Sequence, residues 1–185
     1  MTTGAHVARR ELAALLQLAH AGELAAAIAY RGHAASVRDP EERSEITAIM
    51  VEELDHRRRV RAMLDVLDVR PDERRERRMR RIGRLVAAFC HVGGWYAPMY
   101  GAGRFERNNV GECERAAGHA VDAGYPHFVA DLLDMARVER AHEHYFRTKS
   151  AGHWLWRISP KWSPPAASLS PARDQRDEFL EQLVS

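Results

Sequence analysis

Two short runs place a carboxylate and an imidazole three residues apart: Glu53-Leu54-Asp55-His56 and Glu139-Arg140-Ala141-His142. On a helix, residues three apart share a face, so each run aims an oxygen and a nitrogen ligand the same way. Their positions carry more weight than the motif. Glu53 lies 13 residues beyond Pro40 and Glu23 lies 17 before it, on either side of the Arg38-Asp39 turn. An antiparallel hairpin brings equidistant residues to one height, because both helices rise about 1.5 Å per residue. Glu23 is therefore expected to meet Glu53 and His56. The second hairpin repeats the arithmetic, with Glu139 14 residues after Tyr125 and Glu112 13 before it. Stacked, the hairpins aim four carboxylates and two imidazoles at one interior point. Buried carboxylates at that density repel one another and are costly to desolvate unless cations neutralise them. Two divalent metal ions would do so. The mixed oxygen and nitrogen set suits iron, and manganese or a mixed pair would use the same ligands.

The third-helix ligand has rivals. Glu114 stands about 200° around the helix from Glu112, and Glu106 about 9 Å along it. Glu112 is favoured on the hairpin arithmetic, and Glu52, Glu114 and Glu143 read as solvated neighbours. His119, seven residues after Glu112, is a candidate catalytic group that could donate to a ligand or move protons, or a hydrogen-bonded core histidine. Tyr30, seven after Glu23, is the other catalytic candidate and equally suits the core. His20 and His144 have no assigned role.

The elements that must position these residues are helices. From about Ala5 to Arg38, apolar residues recur at three- and four-residue steps without a proline. Asp39-Pro40-Glu41 gives a cap, a first-position proline and a first-turn acid, opening a second helix to about Leu67. An Arg-rich run from Arg70 to Arg81 and the apolar segment after it read as a helical crossover broken near Gly93-Gly94. A third long helix is expected from Trp95 to Ala123 and a fourth from the Ala123–Pro126 turn to about Ser150. The expected fold is all-α: a ferritin-like antiparallel four-helix bundle over residues 1–151. A Pro- and Trp-containing tail follows over 152–185, with a short helix from Ser170 to Val184.

The chain has 185 residues, 45% of them apolar, enough for one domain with its own core. A net charge of +2 argues against nucleic acid as the partner of the whole molecule. Cys90 and Cys113 form no C-x-x-C pair, which speaks against a secreted disulfide framework and for a reducing cytoplasm. Leu85 to Gly103 lacks Asp, Glu, Lys and Arg, but its glycines and Pro98 argue against a membrane span.

Glu23, Glu53-x-x-His56, Glu112 and Glu139-x-x-His142 together resemble the di-iron carboxylate motif of the ferritin-like superfamily. Within it the chain is similar to rubrerythrin's bundle and, more closely, to the demethoxyubiquinone hydroxylases, over about residues 5–150. That family carries an apolar, glycine-bearing crossover, has a histidine in the neighbourhood of His119, and meets membranes peripherally. The resemblance implies that Glu53 and Glu139 bridge two iron ions, with Glu23 and His56, and Glu112 and His142, as terminal ligands. It further implies a dioxygen-activating monooxygenase acting on an apolar, quinone-like molecule and fed by an electron donor. Arg70–Arg81 and Trp95–Tyr100 would then touch the inner face of a membrane. A peroxide- or iron-handling protein, a tRNA-hydroxylating relative using the arginines on phosphate, and a metal-free helical interaction module are the rival readings. A homo-oligomer stays open.

Overall fold

The computed structural model describes residues 3–165. Five helices follow in order: α1 (Thr3–Ser36), α2 (Pro40–Val66), α3 (Glu73–Val92), α4 (Tyr96–Asp122) and α5 (Val129–Ala151). One-turn 3-10 segments stand at Pro126–Phe128 and Trp154–Arg157, and no strand occurs among the described residues. Local chemistry sets the boundaries. The Asp39 carboxylate accepts from the amides of Glu41 and Glu42 at 2.8 and 3.1 Å, and Pro40 occupies the first turn. Asp72 caps α3 in the same way, on Arg74 and Arg75. Gly94 and Gly124 take φ of +70° and +82°, a region that favours glycine, where the chain leaves α3 and α4.

Helices α1, α2, α4 and α5 form the bundle: α1 pairs with α2, α4 pairs with α5, and α1 also faces α4. Helix α3 is the expected crossover, and it lies along α1 while barely meeting α4. Glycines permit that close packing. A Cβ at Gly32 would sit 2.5 Å from the Ala87 Cβ, and one at Gly83 would sit 2.7 Å from the Ala25 carbonyl oxygen. Because three helices cover it, α1 is the most apolar helix. It is long and apolar enough over Gly4–Ser36 to cross a membrane by length and composition, and Leu12, Leu16, Ala26 and Tyr30 bury that apolarity in the core.

The tail from Gly152 to Pro165 folds back on α4. Tyr100 donates to the Pro160 carbonyl at 2.6 Å, Tyr96 to Ser159 at 2.8 Å, and Trp162 to Glu143 at 2.9 Å. Trp95 donates to Glu42 at 2.7 Å, while Tyr96 and Met99 are buried. The segment Trp95–Tyr100, expected to meet lipid, thus spends most of its aromatic surface inside the molecule. The helix expected from Ser170 to Val184 lies outside the described residues.

Gly83→Leu should push α3 off α1 and lower the unfolding free energy by roughly 1–3 kcal/mol. Gly118→Ala, where a Cβ meets nothing within 4 Å, should stabilise by about 0.5–1 kcal/mol. Denaturant unfolding of the two variants checks the contrast.

Candidate metal centre

Each bundle helix turns one seam of alternating three- and four-residue steps inward, and the ionisable residues stand on these seams. In α2 the seam reads Ile46, Ile49, Glu53, His56, Val60, Met63, all buried. In α4 it reads Met99, Gly103, Glu106, Val110, Cys113 and Ala117, and in α5 Leu132, Met135, Glu139, His142 and Phe146. Helix α1 adds Glu23, which is 5% exposed; Glu53, Glu106 and Glu139 are 0% exposed, and His56 and His142 are 2% and 3% exposed. The six side chains converge as two overlapping quartets. Glu23, Glu53, His56 and Glu139 offer ligand atoms all within 4.8 Å of one another, and so do Glu53, Glu106, Glu139 and His142. Glu53 and Glu139 belong to both.

Five of the six residues expected to meet are therefore together, and the third-helix member is Glu106 rather than Glu112. Two features of the second hairpin explain the correction. Helix α4 ends at Asp122, so three of the 13 residues counted back from Tyr125 belong to the turn: from the end of α4 Glu112 stands about 15 Å along the axis and Glu106 about 24 Å, against about 21 Å for Glu139 counted through the 3-10 segment and α5. Glu112 also lies about 120° around α4 from Glu106, off the seam. It is half-buried in the wall of a neighbouring cavity. His119 is not at the site either, since it lies 13 residues, about 20 Å along α4, beyond Glu106. Tyr30 is at the site: its hydroxyl donates to Glu106 Oε1, and its ring stacks on Phe146 at 5.5 Å between centroids.

Three contacts escaped the sequence reading. The Asn109 amide donates to Glu106 Oε2 at 3.0 Å and to Glu139 Oε2 at 3.4 Å. Glu52, read as a solvated neighbour, lies with Oε2 2.5 Å from His142 Nε2. Glu143, read likewise, is buried and accepts from Arg147 and Trp162 at 2.9 Å each. Glu143 follows His142 on a seam four residues from Glu139, a signal the pattern carried. Nothing in the spacing marked Asn109 or Glu52. Glu114 fits its surface reading, paired with Arg140 across α4 and α5 at 2.8 Å. His20 is buried against Glu76 at 2.5 Å, and His144 stands in the open beside Arg147.

The protein groups do not satisfy one another. Glu139 accepts from His56 Nδ1 at 2.9 Å. His142 Nδ1 lies 3.2 Å from Glu53 Oε1 and 3.7 Å from Glu139 Oε2 without forming a hydrogen bond. Among the described residues, both Glu53 oxygens, Glu23 Oε2 and His142 Nδ1 are buried without a partner. Burial pushes the carboxyls of Glu23, Glu53 and Glu106 well above the usual range, and neighbouring carboxylates add to it. Burial acts on Glu139 in the same sense, but the imidazoles of His142, 3.7 Å away, and of His56, which donates to it, outweigh burial and hold that carboxyl low. Burial would lower His142, yet the carboxylates around it, Glu139 foremost, hold it up at about 9. Protons thus do the neutralising that cations can do, and unpartnered lone pairs on four donors fit a pair of divalent ions. In that arrangement Glu53 and Glu139 would be shared, Glu23 and His56 would complete one ion's set, and Glu106 and His142 the other's.

An apolar cavity of about 150 Å³ abuts the centre, with Glu23, Asn109, Glu112 and Cys113 among the aliphatic residues of its wall. A second, of about 310 Å³, runs between α1, α3 and α4 and includes Tyr30. Met79 and Phe105 border both.

A four-helix bundle with carboxylate and Glu-x-x-His ligands converging from all four helices is the architecture of the ferritin-like carboxylate proteins. Residues 10–75, a little over a third of the chain, match the family described as ubiquinone biosynthesis protein COQ7. The match spans most of α1 and all of α2, and so includes Glu23, Glu53 and His56. It meets the likeness to demethoxyubiquinone hydroxylases read from the motif. No curated protein and no solved structure matches the chain.

The metal-free protein should lose stability as pH rises from about 5 to 9. A carboxyl whose folded pKa is raised binds more protons folded than unfolded above its model value of 4.5, so its contribution falls as pH climbs. His142 acts in the same sense between 6.5 and about 9. Glu139, held low, is ionised in both states across this window. Melting temperatures measured with and without Fe(II) should diverge as pH increases.

Proposed function

We propose that the chain is a di-iron carboxylate oxidoreductase that activates dioxygen and hydroxylates an apolar, quinone-like small molecule. The observation carrying this reading is the pair of overlapping ligand quartets that share Glu53 and Glu139. The match over α1 and α2 supports it. Paired iron ions held this way supply redox equivalents and open positions for dioxygen, with an external electron donor restoring them.

The chain's own residues define what can approach. The aliphatic cavity beside Glu23 admits dioxygen and the edge of a flat apolar molecule while offering little to a hydrated ion. That favours an organic reactant over iron storage. Tyr30 and Asn109 orient Glu106, and Tyr30 separates the larger cavity from the carboxylates. A metal-free interaction module would turn Glu23 outward; here it points into the core.

Helix α3 suits peripheral contact with a membrane. Arg74, Arg77, Arg78 and Arg81 cluster beside Ile82 and Leu85. Further along the helix Leu85, Phe89 and Val92 are exposed by 71%, 49% and 82%. An apolar substrate dissolved in lipid would meet the cavities between α3 and α4 directly.

Metal analysis after anaerobic reconstitution should give two iron ions per wild-type chain. Glu53→Ala should abolish stoichiometric loading, Glu106→Ala should reduce it by half or more, and Glu112→Ala should leave it intact. Wild-type protein that loads no better than Glu53→Ala ends the proposal. In a separate assay, the double variant Leu85→Glu/Phe89→Glu should lose most co-sedimentation with anionic vesicles, while retaining its iron.

A further inference from the structure

We infer that the two halves of the centre are inequivalent: Glu52, Tyr30 and Asn109 lock the Glu106/His142 half, leaving the Glu23/His56 half as the exchangeable one that meets the small-molecule reactant. The inference rests on the metal-centre reading above and assigns roles to three residues outside the ligand set.

The asymmetry lies in what stands behind each ligand. His142 turns Nδ1 toward Glu53 and Glu139 and Nε2 toward the Glu52 carboxylate, 2.5 Å away. An imidazole that donates its outer N–H to a carboxylate has its inner nitrogen fixed as a lone pair and its ring orientation set, which strengthens it as a ligand. Glu106 is held at both oxygens, by Tyr30 on Oε1 and by Asn109 on Oε2. The other half has no such backing. Among the described residues His56 pairs with Glu139 alone, through the nitrogen that faces the centre. Glu23 keeps one oxygen without any partner.

Access follows the same division. Glu23 forms part of the wall of the cavity of about 150 Å³, whereas Glu106 and His142 do not border it. Of the six ligands, Glu23, the loosely held carboxylate, is the one with this open space beside it. A carboxylate free to swing can open a coordination position, and here it would open toward the cavity. Glu52 is thus a positioning residue. It sits at the half-exposed end of a link running from solvent through His142 to the shared carboxylates, its own side chain 51% exposed.

The test is a Co(II) titration of the full-length chain, followed by calorimetry and by the visible absorption of each bound ion. Wild type should take up two ions in two resolved steps. Glu52→Ala should weaken the tighter step by roughly 10–100-fold and leave the weaker one within about twofold. Glu52→Gln, which keeps an acceptor oxygen for His142, should recover part of that loss. His56→Ala should remove the weaker step alone. Because Glu52 is half in solvent, its variants should melt like wild type without metal, so lost affinity reads out positioning rather than unfolding. Two equal steps in wild type, or equal weakening of both by Glu52→Ala, would overturn the inequivalence while leaving the centre standing. A wild-type chain that takes up no cobalt would overturn the centre and the inference together.

Discussion

Six ionisable side chains share a volume from which water is excluded, and their neutralisation is the condition the rest of the fold has to meet. Carboxylates in an apolar interior cannot all stay charged: each must take a proton, find a donor or bind a cation. His56 donates to Glu139, while His142 turns its outer nitrogen to Glu52. Glu53 lies at the middle of the group with neither oxygen satisfied. An apolar residue there would make a more stable bundle, because a buried charge left without a partner costs more than burial returns. Four acids retained on four core seams therefore mark a site whose stability is completed from outside the polypeptide.

That condition explains which parts of the molecule were legible in the sequence. Most helix boundaries were, because Asp39-Pro40 and the glycines at Gly94 and Gly124 act through local chemistry. Glu23, Glu53 and His56 were too, since the first hairpin turns tightly and spacing along it measures height, and Glu139 and His142 were legible from their three-residue spacing. The second hairpin broke the same ruler. Its turn takes up residues 123–125 beyond the end of α4, so counting from Tyr125 picked Glu112 at the wrong height and on the wrong face. The seam Met99, Gly103, Glu106, Val110, Cys113 names the right residue without any count from the turn. Face is the stronger constraint, since a seam is repeated along a whole helix while a turn is sampled once. Asn109 and Glu52 were invisible for a different reason. They sit beside the seams, and only the rotation of neighbouring helices decides that they reach in.

The crossover helix shows how packing creates access. Gly32 and Gly83 let α3 come down onto α1 until backbone meets side chain, and this draws α3 away from α4. The space left between them is lined with aliphatic residues and forms the larger cavity, whose Met79 and Phe105 also border the smaller one between α1 and α4. Larger residues at the two glycines would lift α3 and redistribute that space. The same placement leaves Leu85, Phe89 and Val92 facing outward, so one close contact sets both the passage to the centre and the surface around its mouth.

Rigidity and access are opposed requirements, and the bundle meets them on different sides. Hydrogen-bonding both oxygens of Glu106 and the outer nitrogen of His142 uses donors and acceptors that would otherwise face solvent or voids. Applied to Glu23 as well, the same treatment would fill the cavity wall with polar groups and close the approach for an apolar molecule. The unpartnered oxygen of Glu23 is then the consequence of keeping that wall aliphatic. A bound ion can relieve it, and displacement of that carboxylate is the smallest movement that would bring the centre and the cavity into contact.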